Sequence, residues 1–86
     1  MQFEGAVIRE QGVTFAIVVV KRHILNNSLE ANRAINSFAP VFPGLPVVLM
    51  GQDTNGRPTY FGRKDIASFL SRMPIRGIPW KRYTLN

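Results

Sequence analysis

The chain has 86 residues, enough for one domain spanning 1–86 and too few for two separate cores. Its 45% hydrophobic content argues for a folded chain over a disordered one, and the absence of cysteine excludes disulfides, thiolate chemistry and cysteine-ligated metals. The formal net charge is +6, and it is uneven: residues 1–50 carry +1 and residues 51–86 carry +5. Such a balance attracts anions in general, while also being common in small domains with no acidic partner.

In chain order, the opening Met-Gln-Phe-Glu-Gly-Ala lacks a basic lead followed by an apolar stretch, so no signal peptide is expected. With no cysteine, a reducing, cytoplasmic setting is expected. Phe3–Glu10 reads as a first strand, and Gln11-Gly12 as a tight turn. Val13–Val20 follows, the longest apolar run and the stretch around which the other elements are arranged. Val13, Phe15, Ile17 and Val19 fall on one face of a strand; Thr14, Ala16, Val18 and Val20 fall on the other. Both faces require cover, so this is a central strand. Eight residues fall well short of the roughly 20 that a membrane-spanning helix needs. Lys21-Arg22-His23 ends the run with a polar step.

Asn27 with Glu30 three residues later fits a capping box. Ala31, Ala34, Ile35 and Phe38 then repeat along one helical face, and Pro40 stops the helix, which is expected over 28–39. A proline-rich loop precedes a second two-faced apolar strand, Val47–Met50. Asp53-Thr54-Asn55-Gly56 is a hairpin turn, and Arg57–Phe61 the returning strand. Gly62 opens a second helix, marked by Ile66, Phe69, Leu70 and Met73 and ended by Pro74. A short last strand near Trp80–Leu85 is an open possibility, starting late because of Pro79.

The expected fold is therefore α+β: β-β-α-β-β-α with an optional C-terminal strand, and one mixed four-stranded sheet with two helices. The two central strands are joined through a helix and so run parallel. Two arrangements are open. The helices cover opposite faces of the sheet, or they share one face and leave an apolar face for a partner, most simply a second copy.

Leu45-Pro46-Val47-Val48-Leu49-Met50, a polar turn, Arg57–Phe61, Gly62 and a helix together resemble the second half of a thioredoxin-like domain. The resemblance covers about Leu45–Met73 and implies a cis peptide before Pro46. The redox cysteines of that family have no counterpart here, so the resemblance implies no oxidoreductase activity.

For chemistry there is little. His23 is the lone histidine and, without cysteines, falls short of the three or four ligands of a zinc site; a surface histidine is the simpler reading. No serine has a nucleophile-elbow setting, and there is no phosphate-binding glycine loop. No catalytic residue, metal or cofactor is expected.

Two basic features remain. Gly62-Arg63-Lys64 places two cations at the start of a helix, a seat for a phosphate or carboxylate; the alternative is that both extend into solvent while Asp65 answers the helix dipole. In the tail, Arg76, Trp80, Lys81, Arg82 and Tyr83 interleave aromatics with cations, a pattern suited to stacked bases or to a protein interface, with Arg57 offering a weaker echo beside Tyr60. The alternative there is that Trp80 closes the core. No nucleic-acid-binding motif can be read. The expected function is a small non-enzymatic binding module whose basic C-terminal half takes an acidic partner, nucleic acid or an acidic protein surface, with no membrane partner. The second expectation is a protein-interaction or homo-oligomerising domain, a possible homodimer, that uses an apolar sheet face.

Overall fold

The computed structural model describes residues 1–10 and 12–85. The elements are β1 (Gln2–Glu10), β2 (Val13–Val19), a 3-10 turn (Arg22–Asn26), α1 (Ser28–Phe38), a 3-10 turn (Ala39–Val41), β3 (Val47–Gln52), β4 (Pro58–Phe61), α2 (Lys64–Ser71), a 3-10 turn (Ile75–Gly77) and β5 (Lys81–Thr84). This is the expected mixed α+β order with one correction. The C-terminal strand forms, so the sheet has five strands, in the order β4-β3-β2-β1-β5. The expectation of four failed because β5 pairs with the far end of the chain, antiparallel to β1 (Phe3 opposite Tyr83, Gly5 opposite Lys81), a contact with no local signature.

β2 is the middle strand. It pairs antiparallel with β1 and parallel with β3, with Ala16 opposite Val47 and Val19 opposite Met50. The parallel ladder is bracketed by Ala16 N–H donating to the Pro46 carbonyl and Val20 N–H donating to the Met50 carbonyl, each at 2.9 Å. No peptide bond among the described residues is cis, so the peptide before Pro46 is trans and departs from what the thioredoxin-like resemblance implies.

Of the expected Gln11-Gly12 turn, Gln11 lies outside the described residues. The Asp53 turn is built by its own side chain: Oδ1 accepts from the backbone N–H groups of Asn55 and Arg57, both at 2.9 Å. Gly56 N–H donates to the Asp53 carbonyl, and Asp53 N–H to the Arg57 carbonyl, which makes a three-residue loop in place of a two-residue Asn-Gly turn. At α1, the Asn27 Oδ1 accepts from the N–H groups of Leu29 and Glu30, so the cap forms through asparagine.

The two helices cover opposite faces of the sheet. Ala31 and Phe38 of α1 pack with Ala16, Val18, Val47 and Leu49. Ile66 and Leu70 of α2 pack with Phe15, Ile17, Val48 and Met50 on the reverse side. Phe15, Ile17, Val18, Val48 and Leu49 are all at most 2% exposed. The shared-face arrangement and its open apolar face are thus not adopted, because period-2 alternation sends each strand's residues into two separate cores. Among the described residues no helix is long and apolar enough to cross a membrane.

Candidate functional site

The expected anion seat at the start of α2 is partly closed by its own neighbour. Arg63 is the residue before the helix, with extended backbone, and its guanidinium clasps Asp65 at both carboxylate oxygens. Nε donates to Oδ1 at 2.9 Å and Nη2 to Oδ2 at 2.6 Å. This contact lowers the Asp65 pKa, chiefly through the hydrogen bond from Arg63, and raises that of Arg63 by the same bond. Both side chains are exposed, so the pair fixes local geometry more than it stabilises the fold. Lys64 is exposed and makes no ion pair among the described residues. Gly62 serves packing: a Cβ there would lie 2.9 Å from Val48 Cγ2 and 3.2 Å from Val48 Cα. The seat is therefore one neutralised arginine and one lysine beside a glycine that lets α2 approach β3.

The tail aromatics turn inward to opposite cores. Trp80 packs against the α2-side core, and its indole N–H donates to the Ile75 carbonyl at 3.2 Å. Tyr83 stacks on Phe3 at 5.5 Å and meets Phe42 edge-on at 5.0 Å on the α1 side. Arg76, Lys81 and Arg82 stay exposed beside them. Trp80→Ala is expected to lower unfolding stability by about 2–3 kcal/mol, less than for a fully buried ring because Trp80 is half-buried. Urea denaturation checks this, and a loss within measurement error would return Trp80 to the surface as a free contact residue.

Arg57 sits in the β3–β4 turn, and Gly62, Arg63 and Lys64 follow β4. Lys81, Arg82 and Tyr83 lie on β5, Trp80 just before it and Arg76 in the 3-10 turn Ile75–Gly77. These are opposite edges of the sheet, separated by four strand spacings or roughly 19 Å. The structure therefore leaves Arg57 and the α2 cations apart from the cations of β5.

A groove of about 590 Å³ opens at the end of the sheet where β2 finishes, with Phe3, Val20, Ile24 and Phe38 among its walls and Lys21 and His23 beside them. No sequence-expected site residue lines it. The only signal for it in the sequence is the apolar run breaking into Lys21-Arg22-His23. Among the described residues it includes the lone histidine but no carboxylate, and these residues hold no group of three or more potential metal ligands.

Among the described residues one buried side-chain polar atom lacks a partner: the Tyr60 hydroxyl, on the α2 side. Burial raises its pKa above the ordinary 10.0. The neutral phenol is thus favoured in the fold. Its contribution is fully present below pH 10.0 and is lost as pH rises from there through the folded value, because the unfolded chain ionises first. Tyr60→Phe is expected to raise stability by about 1 kcal/mol near neutral pH and to remove this alkaline loss. Thermal melts across pH check both, and a destabilised Phe variant would mean that the hydroxyl is satisfied in solution.

No family model matches the chain, and neither a curated protein nor a solved structure matches it.

Proposed function

We propose that the chain is a small, cytoplasmic, non-enzymatic binding module that takes an acidic partner on the basic edge formed by Arg76, Lys81 and Arg82. One observation carries this reading. Among the described residues the only ion pair is Arg63–Asp65, so neither Arg76, in the turn before β5, nor Lys81 and Arg82 on it pairs with a carboxylate of those residues. Glu4 lies across from Arg82 in the β1–β5 register and still makes no ion pair with it. Uncompensated charge of this kind raises the local concentration of anions and speeds their association.

An acidic protein segment suits the edge better than nucleic acid does. Base recognition on single strands relies on accessible aromatic faces. Trp80 and Tyr83, the rings nearest the cations, are half-buried and packed against the two cores. Contact with nucleic acid would then rest on phosphates alone, with a steep salt dependence.

The test is binding of labelled polyglutamate and of mixed nucleic acid across a salt series. Lys81→Ala with Arg82→Ala is expected to weaken polyglutamate binding about tenfold, from two exposed charge contacts. Any nucleic-acid binding is expected to lose about two units of log–log salt slope in the same variant. An affinity indifferent to the double substitution, or no polyanion bound at low salt, overturns the assignment.

A further inference from the structure

Resting on the acidic-partner reading above, we propose that β5 takes up its partner as a sixth strand, with an extended acidic peptide pairing backbone to backbone along its outer edge. β5 is a sheet edge with β1 on one side only. Leu85 N–H donates to the Met1 carbonyl at 2.8 Å, and the Met1 amine donates back to the Leu85 carbonyl at 3.2 Å. In an antiparallel ladder, bonded and non-bonded pairs alternate. Tyr83 and Lys81 therefore aim their backbone groups at Phe3 and Gly5, while Arg82 and Thr84 direct N–H and C=O outward. Both of these residues are exposed.

The opposite edge has less of this capacity. On β4, Asp53 bonds with Arg57, so the outward positions are Pro58 and Tyr60, and proline has no N–H to give. The sheet thus has one edge restricted by proline and one left open, and the open one is cationic. Charge then selects the occupant. A second copy of this chain would bring another Lys81 and Arg82 to the same line, a repulsive arrangement that edge strands use against self-pairing. Lys81 and Arg82 project to opposite faces, so a strand bearing Asp or Glu at consecutive positions meets both cations favourably. Strand addition supplies affinity through main-chain hydrogen bonds and selectivity through side chains.

The experiment uses the full chain and a ten-residue peptide of alternating Glu-Glu and Val-Val pairs, with a second peptide of identical sequence N-methylated at every residue, so that neither edge of the strand can donate. Methylation keeps the charge and removes the strand's donors. The expected result is that the plain peptide binds, the methylated one binds about thirtyfold more weakly, and amide exchange at Arg82 and Thr84 slows on binding. Thr84→Pro removes an outward N–H that β1 does not use, and it is expected to lose peptide affinity while keeping the circular dichroism of the parent. Equal affinity for the two peptides overturns strand addition and leaves the acidic-partner reading standing. Failure of both peptides and of polyglutamate overturns both. A salt-independent dimer that protects Arg82 and Thr84 without peptide overturns the proposal in favour of a second copy. The methylated-peptide and exchange results decide the matter even if Thr84→Pro does not fold.

Discussion

Phe3→Ala is expected to lower unfolding stability by about 3–5 kcal/mol. Phe3 is 7% exposed and joins four segments of the chain. Its ring lies 4.7 Å from Phe38 of α1, 5.5 Å from Tyr83 of β5 and 6.1 Å from Phe42 in the loop after α1. Truncation removes a large apolar area, leaves a cavity at the seam of β1, β5 and α1, and breaks aromatic pairs worth about 0.5–1.5 kcal/mol each beyond burial. Small domains have about 5–15 kcal/mol in all, so this variant approaches the threshold of folding. Urea denaturation reads the loss. Phe3→Leu, which preserves most of the volume but loses the aromatic pairs, should cost less than the alanine variant. Amide exchange in the alanine variant should rise first in β5, whose Tyr83 has lost its stacking partner. An alanine variant as stable as the parent would mean that the aromatic seam does not hold β5 in place.

Gly5→Ala is the second large effect, at about 2–3 kcal/mol. A Cβ at Gly5 would lie 2.7 Å from the Ile17 carbonyl oxygen. That neighbour is backbone in the central strand, so no rotamer change relieves the clash, and β1 or β2 must move. Gly5 also pairs with Lys81, the first residue of β5. A shift there disturbs β5 together with the core ladder. The expected signature is a lower urea midpoint combined with weakened polyglutamate binding, since the cationic edge is displaced. Stability equal to the parent's would show that β1 accommodates a methyl group at this point, and that the close approach is not what requires glycine.

These two positions show where sequence reading stops. The central strand is legible because Val13–Val19 is apolar on both faces, a pattern that only a doubly covered strand satisfies. The helices are legible from Ala31, Ala34, Ile35 and Phe38, and from Ile66, Leu70 and their neighbours, because amphipathic spacing is a local property. Asn27 as a cap is legible for the same reason. Nothing local marks Gly5 as special: its requirement comes from a carbonyl twelve residues away in the sequence, brought within reach by the β1–β2 register.

The candidate site divides the same way. Residue type alone identifies the cations, and their number per half of the chain is plain. Their pairing is not. Residues two apart on a helix do not face each other, yet Arg63 reaches Asp65 because Arg63 stands outside the helix with extended backbone. Trp80 and Tyr83 look like a shared contact surface when read along the tail. Three residues apart in extended chain, they project to opposite faces and enter different cores.

By itself the sequence determined the α+β class, the middle strand, both helices, the Asp53 turn and the basic C-terminal half, since each depends on periodicity, turn chemistry or charge count within a short window. Only the tertiary structure decided that α1 and α2 cover opposite faces, that a fifth strand pairs with β1, and that the cations divide between two edges. Those outcomes depend on which distant strands meet, and many pairings satisfy the same local pattern until the packing of Phe3 against Phe38, Phe42 and Tyr83 selects one.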